Sequence, residues 1–401
     1  MKKILFFLHF TKIGGAELIA MQYIEGLIKN GYTVDLIVDY NMGKDGNTFE
    51  HAIPKEANFQ YVKSERISKF IYKLRTLGKK NILFNIPLLF AIKFFDFYYY
   101  NTKIKSLINR NNYDLSITFF QFLPSHITKF KHMKHFIWLH GSVNQMFSGK
   151  KALLKNSFGK KLNLYDKVFT IAEEMKDEVI NLYPFINKNK IELLYNPFDF
   201  ESIKSKANQT TNLSSDEINL LKDNYFCTVT RLDENQKDLT TLIESYKILL
   251  TKNQITEKLY IIGDGIDKVK LQNLVESYGL NKSILFLGKK TNPFVWMQNS
   301  KAFILSSKFE GLPTVLIEAM ILEKFVISSN CKTGPCEILD NGKCGDLFEI
   351  GDVKELSNLL LKTTIDSQHI INKVVNSKNH IEKFKKENII ENLIKILEEK
   401  R

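Results

Sequence analysis

The feature that most constrains this chain is a repeated rhythm of very short, almost wholly apolar runs separated by helix-length amphipathic segments. Lys3-Ile4-Leu5-Phe6-Phe7-Leu8 is one such run and Thr33–Val38 another. Further runs stand at 59–62, 115–119, 135–139, 167–171 and 191–194, then at 226–230, 258–262, 284–287, 302–305 and 325–328. Strands that are apolar on both faces belong to parallel sheets covered by helices on both sides. Helical patterns fill the gaps, among them one opened by Gly14-Gly15-Ala16-Glu17 and running to about Lys29, then Asp238–Leu250, Asp267–Tyr278 and Val315–Leu322. The fold class predicted is α/β: two Rossmann-like, doubly wound parallel-sheet domains facing a cleft, with chemistry at the carboxyl ends of the strands.

A length of 401 residues suits two domains. The polar, turn-rich stretch from Ser205 to Ser215 separates two similar halves. Expected boundaries are 1–203, 204–380, and an amphipathic C-terminal helix over 381–401. Met1-Lys2-Lys3 before an apolar run mimics a short signal peptide, but the run is only five residues long and no small-residue cleavage site follows. It reads as a buried first strand. No run of about 18 uncharged apolar residues predicts a membrane span. The four cysteines (Cys227, Cys331, Cys336 and Cys344) form no C-x-x-C pair and are too sparse for a disulfide scaffold, so a reducing compartment is expected.

Charge is lopsided. The formal net charge is +13, and residues 51–161 carry 20 basic against 4 acidic side chains. Such a field draws phosphate-bearing partners, a nucleic acid or an anionic membrane, or is a solvated face. Within this region Ile82–Tyr100 is apolar and aromatic, flanked by Arg66, Lys69, Lys73, Arg75, Lys79 and Lys80 before it and Lys103, Lys105 and Arg110 after it. That stretch is either an interfacial membrane element or a core helix under a basic rim. No helix-turn-helix, zinc or RNA-binding motif supports a nucleic-acid reading.

Several short motifs sit after strands. Glu310-Gly311-Leu312-Pro313-Thr314 leads into a helix that carries Glu318; Pro313 suits the first turn, and the free N–H groups there attract anions. Arg231 and Lys237 can neutralise a departing diphosphate. Gly14-Gly15 permits close backbone approach to phosphate, but it is not the G-x-G-x-x-G of nicotinamide dehydrogenases. His140-Gly141 ends a strand and can hydrogen-bond a sugar hydroxyl. Gly263-Asp264-Gly265 reads mainly as a turn, with Gly263 able to face the donor. His132 and His135 have H-x-x-H spacing without carboxylates, so no metal site is expected there.

Taken in order, Gly14-Gly15-Ala16-Glu17, His140-Gly141, Arg231 with Lys237, Gly263-Asp264-Gly265 and Glu310-x7-Glu318 resemble the retaining GT-B glycosyltransferases of family four. The stretch from Glu310 through Thr333-Gly334-Pro335-Cys336-Glu337-Ile338 is similar to its bacterial cell-surface polysaccharide members. The resemblance covers roughly residues 1–350. It implies that Gly14 and Gly15 meet the donor diphosphate and that Arg231 and Lys237 hold it. Glu310 would bind donor-sugar hydroxyls, with Gly311, Leu312, Pro313 and Thr314 beside it. Glu318 would bind the ribose, His140 would assist near the sugar, and the C-terminal helix would cross back to the first domain. It further implies a UDP-sugar donor, a cell-surface glycan or lipid-linked acceptor, and no cofactor or required metal, in keeping with the absence of any Asp-x-Asp in the chain. The protein would be cytoplasmic, peripheral on the inner face of an anionic membrane through residues 63–110, with no nucleic-acid partner. Thr230 and Lys237-Asp238 depart from the Gly-Arg and Lys-Gly common in the family. A sugar-nucleotide 2-epimerase of the same fold is the alternative enzyme, and a basic nucleic-acid-binding protein the alternative from another class.

Overall fold

A computed structural model describes residues 2–9, 15–44, 46–47, 50–80, 92, 94–119 and 127–399, without the side chains of 75–80 and 150. The chain divides into two compact units, Met1–Phe198 with Ile389–Arg401, and Asp199–Asn388.

Among the described residues the first unit holds a seven-stranded sheet. Its strands are β1 (Lys3–Leu8), β2 (Thr33–Tyr40), β3 (Asn58–Lys63), β4 (Leu115–Thr118), β5 (Lys134–Leu139), β6 (Lys167–Thr170) and β7 (Ile191–Leu193). Their order is β3-β2-β1-β4-β5-β6-β7, parallel throughout. The second unit holds β8 (Tyr225–Val229), β9 (Lys258–Ile262), β10 (Ile284–Gly288), β11 (Ala302–Leu305), β12 (Phe325–Ser329) and β13 (Asp346–Phe348) in the order β10-β9-β8-β11-β12-β13, again parallel. The α/β class with two doubly wound sheets is thus what the apolar runs foretold. Strand order reverses between β1 and β4 and between β8 and β11. Each reversal opens a crevice at the carboxyl edge, because the crossovers on either side run away from each other.

The helices bury one stripe each. In the Gly15–Lys29 helix Ile19, Ala20, Tyr23, Ile24 and Leu27 face inward. Tyr23 meets Phe119 and Trp138 edge-on, and Trp138 stacks on Phe169 at 4.1 Å between ring centres. The second core gathers Phe226, Leu242, Tyr246, Leu259, Ile304 and Ile327.

The units divide between Phe198 and Asp199, ahead of both the expected boundary at 203/204 and the polar 205–215 stretch. Asp199 caps the Phe200–Ala207 helix by accepting from the Ser202 amide at 2.8 Å. That helix buries Phe200, Ile203 and Ala207, and its Lys206 carbonyl accepts from Asn292 Nδ2 at 2.7 Å. It is a packed part of the second unit, and apolar burial sets the division where composition pointed to a linker. At the far end, the Lys386–Glu398 helix returns its chain to the first unit from Ile389 onward. Ile390 occupies the space a side chain at Gly26 would need, Leu393 is fully buried, and Lys167 pairs with Glu399 at 3.2 Å. Residues 381–384 form a separate 3₁₀ turn before it.

The 82–100 stretch is described only at residue 92 and from 94 onward; 82–91 and 93 lie outside the described residues. Ile92 is buried, whereas Phe94, Phe97 and Tyr98 are exposed. Among the described residues no helix is long and apolar enough to cross a membrane.

Candidate functional site

In the second unit the crevice between β8 and β11 is where the sequence motifs meet. Arg231 follows β8, and Lys237 ends a one-turn helix, Glu234–Lys237. Glu310 lies in the loop after β11. Lys237 Nζ donates to Glu310 Oε1 at 2.6 Å, with both side chains largely buried (15% and 8% exposed). Arg231 is 63% exposed and is steered by Gln236, whose Oε1 accepts from the guanidinium at 2.7 Å. Gln236 Nε2 in turn donates to the Phe309 carbonyl at 3.2 Å, and its own carbonyl accepts from the Lys308 amide at 2.7 Å. Arg231, Lys237 and Glu310 therefore form one connected group. Gln236, which makes the connection, was missed by sequence reasoning; a polar residue in a single helical turn carries no signal of its own.

Three devices hold this loop. Asp238 takes the left-handed conformation (φ 47°), one that glycine adopts at low cost and aspartate only with local support. Its carboxylate accepts from Thr241 Oγ1 at 2.8 Å and pairs with Lys308 at 3.4 Å, which offsets the backbone penalty. Glu234 is buried and caps the next helix, Leu239–Thr251, by accepting from the Leu239 amide at 2.7 Å. The Gly263-Asp264-Gly265 turn lies directly behind. The Leu232 amide donates to the Asp264 carbonyl at 3.0 Å, and a Cβ on Gly263 (φ 142°) would overlap the Thr230 carbonyl oxygen. Gly263 thus buttresses the Arg231 strand end, so its geometry is explained without any ligand contact.

On the other side, Thr333 Oγ1 donates to the Glu310 carbonyl. Gly334 (φ 100°) has no room for a side chain beside Pro313 and the Gly311 carbonyl. The Gly311–Pro313 segment is therefore clamped by residues from after β12. Pro313 lies just outside the Thr314–Ile321 helix, as its cap with extended backbone (ψ 97°), so the first-turn placement read from the sequence shifts by one residue. Glu318 sits one turn inside this helix. Burial pushes its carboxyl up to about 7, opposed by Lys206 and by a hydrogen bond with Thr314. Glu318 makes no contact with the Lys237–Glu310 pair that would join it to that group. The arrangement offers two cations and a helix start on one crevice, with a carboxylate on each side of that start.

In the first unit, Gly14 lies outside the described residues, and Gly15 opens the Gly15–Lys29 helix, exposed. Glu17 in its first turn is pushed up to about 7 by burial, partly opposed by a backbone hydrogen bond. His140 follows β5, with its ring 4.4 Å from Phe119 between centres. Burial lowers its imidazolium to about 3, partly opposed by a hydrogen bond with the Phe119 backbone. The ring is neutral at physiological pH: it can hydrogen-bond, but it offers no positive charge. His135 is held structurally, with Nδ1 2.7 Å from Ser116 Oγ and Nε2 2.9 Å from the Phe130 carbonyl. A charged cluster that sequence reading missed lies at the carboxyl edge of β1–β3. Lys63, 2% exposed, is held by Asp39 and by Asp96 at 3.1 Å, with His9 3.3 Å from Asp39. These four residues are spread over 88 positions, so only the fold brings them together.

Residues 13–202 match Glycosyltransferase Family 4 and residues 211–386 match Glycosyl transferases group 1. The chain belongs to the family-four, group 1 glycosyltransferases of GT-B fold. An uncharacterized glycosyltransferase of Methanocaldococcus jannaschii is 35% identical to this glycosyltransferase over 44% of the chain, which spans 42% of that relative's length. The N-acetylgalactosamine-N,N'-diacetylbacillosaminyl-diphospho-undecaprenol 4-alpha-N-acetylgalactosaminyltransferase of Campylobacter jejuni is 29% identical over 64% of the chain and 68% of its own length. Anabaena HepE, solved in complex with UDP and glucose, superposes with a TM-score of 0.73 at 19% identity, over 99% of each chain. That likeness bears on fold alone.

Proposed function

We propose that this glycosyltransferase moves a sugar from a nucleotide-diphosphate donor, a UDP-sugar, to a cell-surface glycan or lipid-linked acceptor, with retention of configuration and without a required metal. The observation that carries this reading is the Arg231–Gln236–Lys237–Glu310 group at the β8/β11 crevice. When the bond from the sugar C1 to the diphosphate oxygen breaks, negative charge builds on the leaving diphosphate. Fixed cations and the amides at the Thr314 helix start would stabilise it with no reorganisation at the moment of reaction. The acceptor oxygen would bond to C1 on the face the diphosphate leaves, and its proton would pass to a leaving-phosphate oxygen. Glu310 would bind sugar hydroxyls while anchoring Lys237, and Glu318 would bind the ribose. From the first unit we assign a neutral His140 to a sugar hydroxyl and Gly14-Gly15 to the diphosphate. UDP as the nucleotide is supported by the UDP complex of HepE, and a lipid-linked acceptor by the substrate in the Campylobacter relative's name.

We also infer a peripheral station on an anionic membrane through residues 63–110. In its described part Phe70, Tyr72, Phe94, Phe97 and Tyr98 are exposed beside Arg66, Lys69, Lys73 and Lys103, and the Phe70 and Phe94 rings both lie against Phe95. Aromatic side chains with basic neighbours suit an anionic interface. A hydrolysis screen over UDP-, GDP- and ADP-sugars, run with and without chelator, tests the donor and the metal independence. Release of sugar from UDP donors alone, insensitive to EDTA, is expected; turnover that needs added Mn²⁺ or Mg²⁺ refutes the mechanism. Vesicle co-sedimentation tests the membrane reading, which fails if neutral and anionic liposomes are bound equally or not at all.

A further inference from the structure

In the second unit, outside the Arg231–Gln236–Lys237–Glu310 group, three ligand-bearing side chains of different chemistry converge. Asp340, Cys344 and His380 each present one ligand atom, all within 4.8 Å of one another. Asp340 and Cys344 sit on a tight turn after the Pro335–Ile338 helix, closed by the Cys344 amide donating to the Leu339 carbonyl at 3.0 Å. Asp340, Asn341 and Gly342 are consecutive left-handed residues, and Lys373 Nζ donates to the Gly342 carbonyl. His380 ends the Ser367–His380 helix.

The hydrogen bonding of His380 points to a ligand. Its Nε2 lies 3.1 Å from the Glu337 carbonyl, an acceptor only, so Nε2 carries the proton and the Nδ1 lone pair is the one available to a metal. Metal-bound imidazoles are held in just this way, the second nitrogen donating to a backbone carbonyl or carboxylate. Thiolate, imidazole and carboxylate together match the borderline-soft preference of zinc and not the all-oxygen preference of magnesium or calcium. Bonds of about 2.0–2.3 Å set ligand-to-ligand separations of roughly 3.3–3.8 Å in a tetrahedron. Atoms already within 4.8 Å of one another therefore need to close by at most about 1–1.5 Å, a movement side-chain rotation supplies.

We propose that Asp340, Cys344 and His380 form a zinc-class divalent-metal site, with water as the fourth ligand, that ties the 339–345 turn to the end of the Ser367–His380 helix. As the Sγ–metal bond forms, the Cys344 proton passes to solvent. Lys343, 3.0 Å from Asp340 and 68% exposed, turns outward into water. Lys373 and Lys383 keep their contacts with the Gly342 and Glu337 carbonyls. The ion takes no part in sugar transfer, so the site stands or falls independently of the function proposed above.

The test is cobalt uptake by the full-length, chelator-stripped, reduced protein. One equivalent of Co²⁺ is expected to produce a near-ultraviolet thiolate-to-cobalt band with visible bands of four-coordinate cobalt, and zinc to displace it. Cys344→Ser abolishes the near-ultraviolet band. His380→Gln and Asp340→Asn each weaken uptake tenfold or more. Cys336→Ser, altering the half-buried thiol that contacts Asn341, leaves the band intact. Circular dichroism of each variant reports its folding, and His380→Gln and Asp340→Asn decide the matter if Cys344→Ser misfolds. No thiolate band after ten equivalents, or a band that survives in Cys344→Ser, overturns the proposal.

Discussion

Replacing Lys237 by alanine removes the cation that Glu310 was buried against. At 2.6 Å and an effective dielectric near 20, the gross attraction between them is about 6 kcal/mol. Desolvation of two largely buried ions takes much of that back, so the pair is worth far less than its Coulomb energy. Losing one partner, however, leaves the other carboxylate buried alone, which costs about 2–4 kcal/mol at this degree of burial. For a unit of about 190 residues, each kcal/mol lowers the melting temperature by roughly 2–4 °C. Lys237→Ala should therefore melt about 5–15 °C below the parent. The added change Glu310→Gln, which removes the orphaned charge, should recover more than half of that loss. Differential scanning calorimetry of the parent, both single variants and the double variant closes the cycle. The same four proteins are assayed for UDP-sugar hydrolysis. Because the double variant regains stability without regaining a cation, its turnover should stay down by about 10²–10³, the cost of losing one preorganised charge stabiliser. A Lys237→Ala protein that melts within 2 °C of the parent refutes the buried-pair argument. One that hydrolyses donor at near-parental rate refutes the leaving-group role.

Further outcomes follow from individual residues. Glu318 and Glu17 have carboxyls raised to about 7, so each favours its neutral form in the folded state. Their stabilisation is complete below about pH 4.5 and is lost as pH rises through about 7. Glu318→Gln should flatten the fall in melting temperature between pH 5 and 8, and an unchanged pH–stability curve would contradict the burial argument. His140, neutral down to about pH 3, should add no ionisation to the turnover profile between pH 5 and 9. His140→Asn should lower the rate while keeping the shape of that profile; loss of a limb near pH 6–7 would show that the imidazolium matters. Gly263→Ala forces a Cβ into the Thr230 carbonyl and should destabilise the second unit by several kcal/mol, whereas Gly351→Ala, at φ 78° with open space around it, should cost only about 1 kcal/mol. Gln236→Ala should raise the donor KM with little change in melting temperature, since it frees an exposed Arg231 rather than unpairing a buried charge.

The strands were legible because their signal is local. Both faces of β1, β5, β9 and β11 are covered, so each reads as an unbroken apolar run whatever its partners. β13 escaped notice: three residues beginning with an aspartate carry no such run, and the strand exists because β12 offers an edge. Arg231, Lys237, Glu310 and Glu318 were legible as motif residues after strands, since a parallel sheet places its chemistry there.

Which of those residues touch was decided by tertiary structure alone. The β8/β11 adjacency brings Lys237 to Glu310 across 73 positions of sequence, while Glu318, nearer to Glu310 along the chain, lies inside the Thr314–Ile321 helix with Thr314 as its hydrogen-bond partner. The left-handed Asp238, the buttressing role of Gly263, the neutrality of His140 and the Asp340–Cys344–His380 cluster share that origin. Sequence determines backbone preference and which faces are apolar, both set by near neighbours. Burial, proximity of charge and the room left for a Cβ depend on segments that meet only after the sheets have formed.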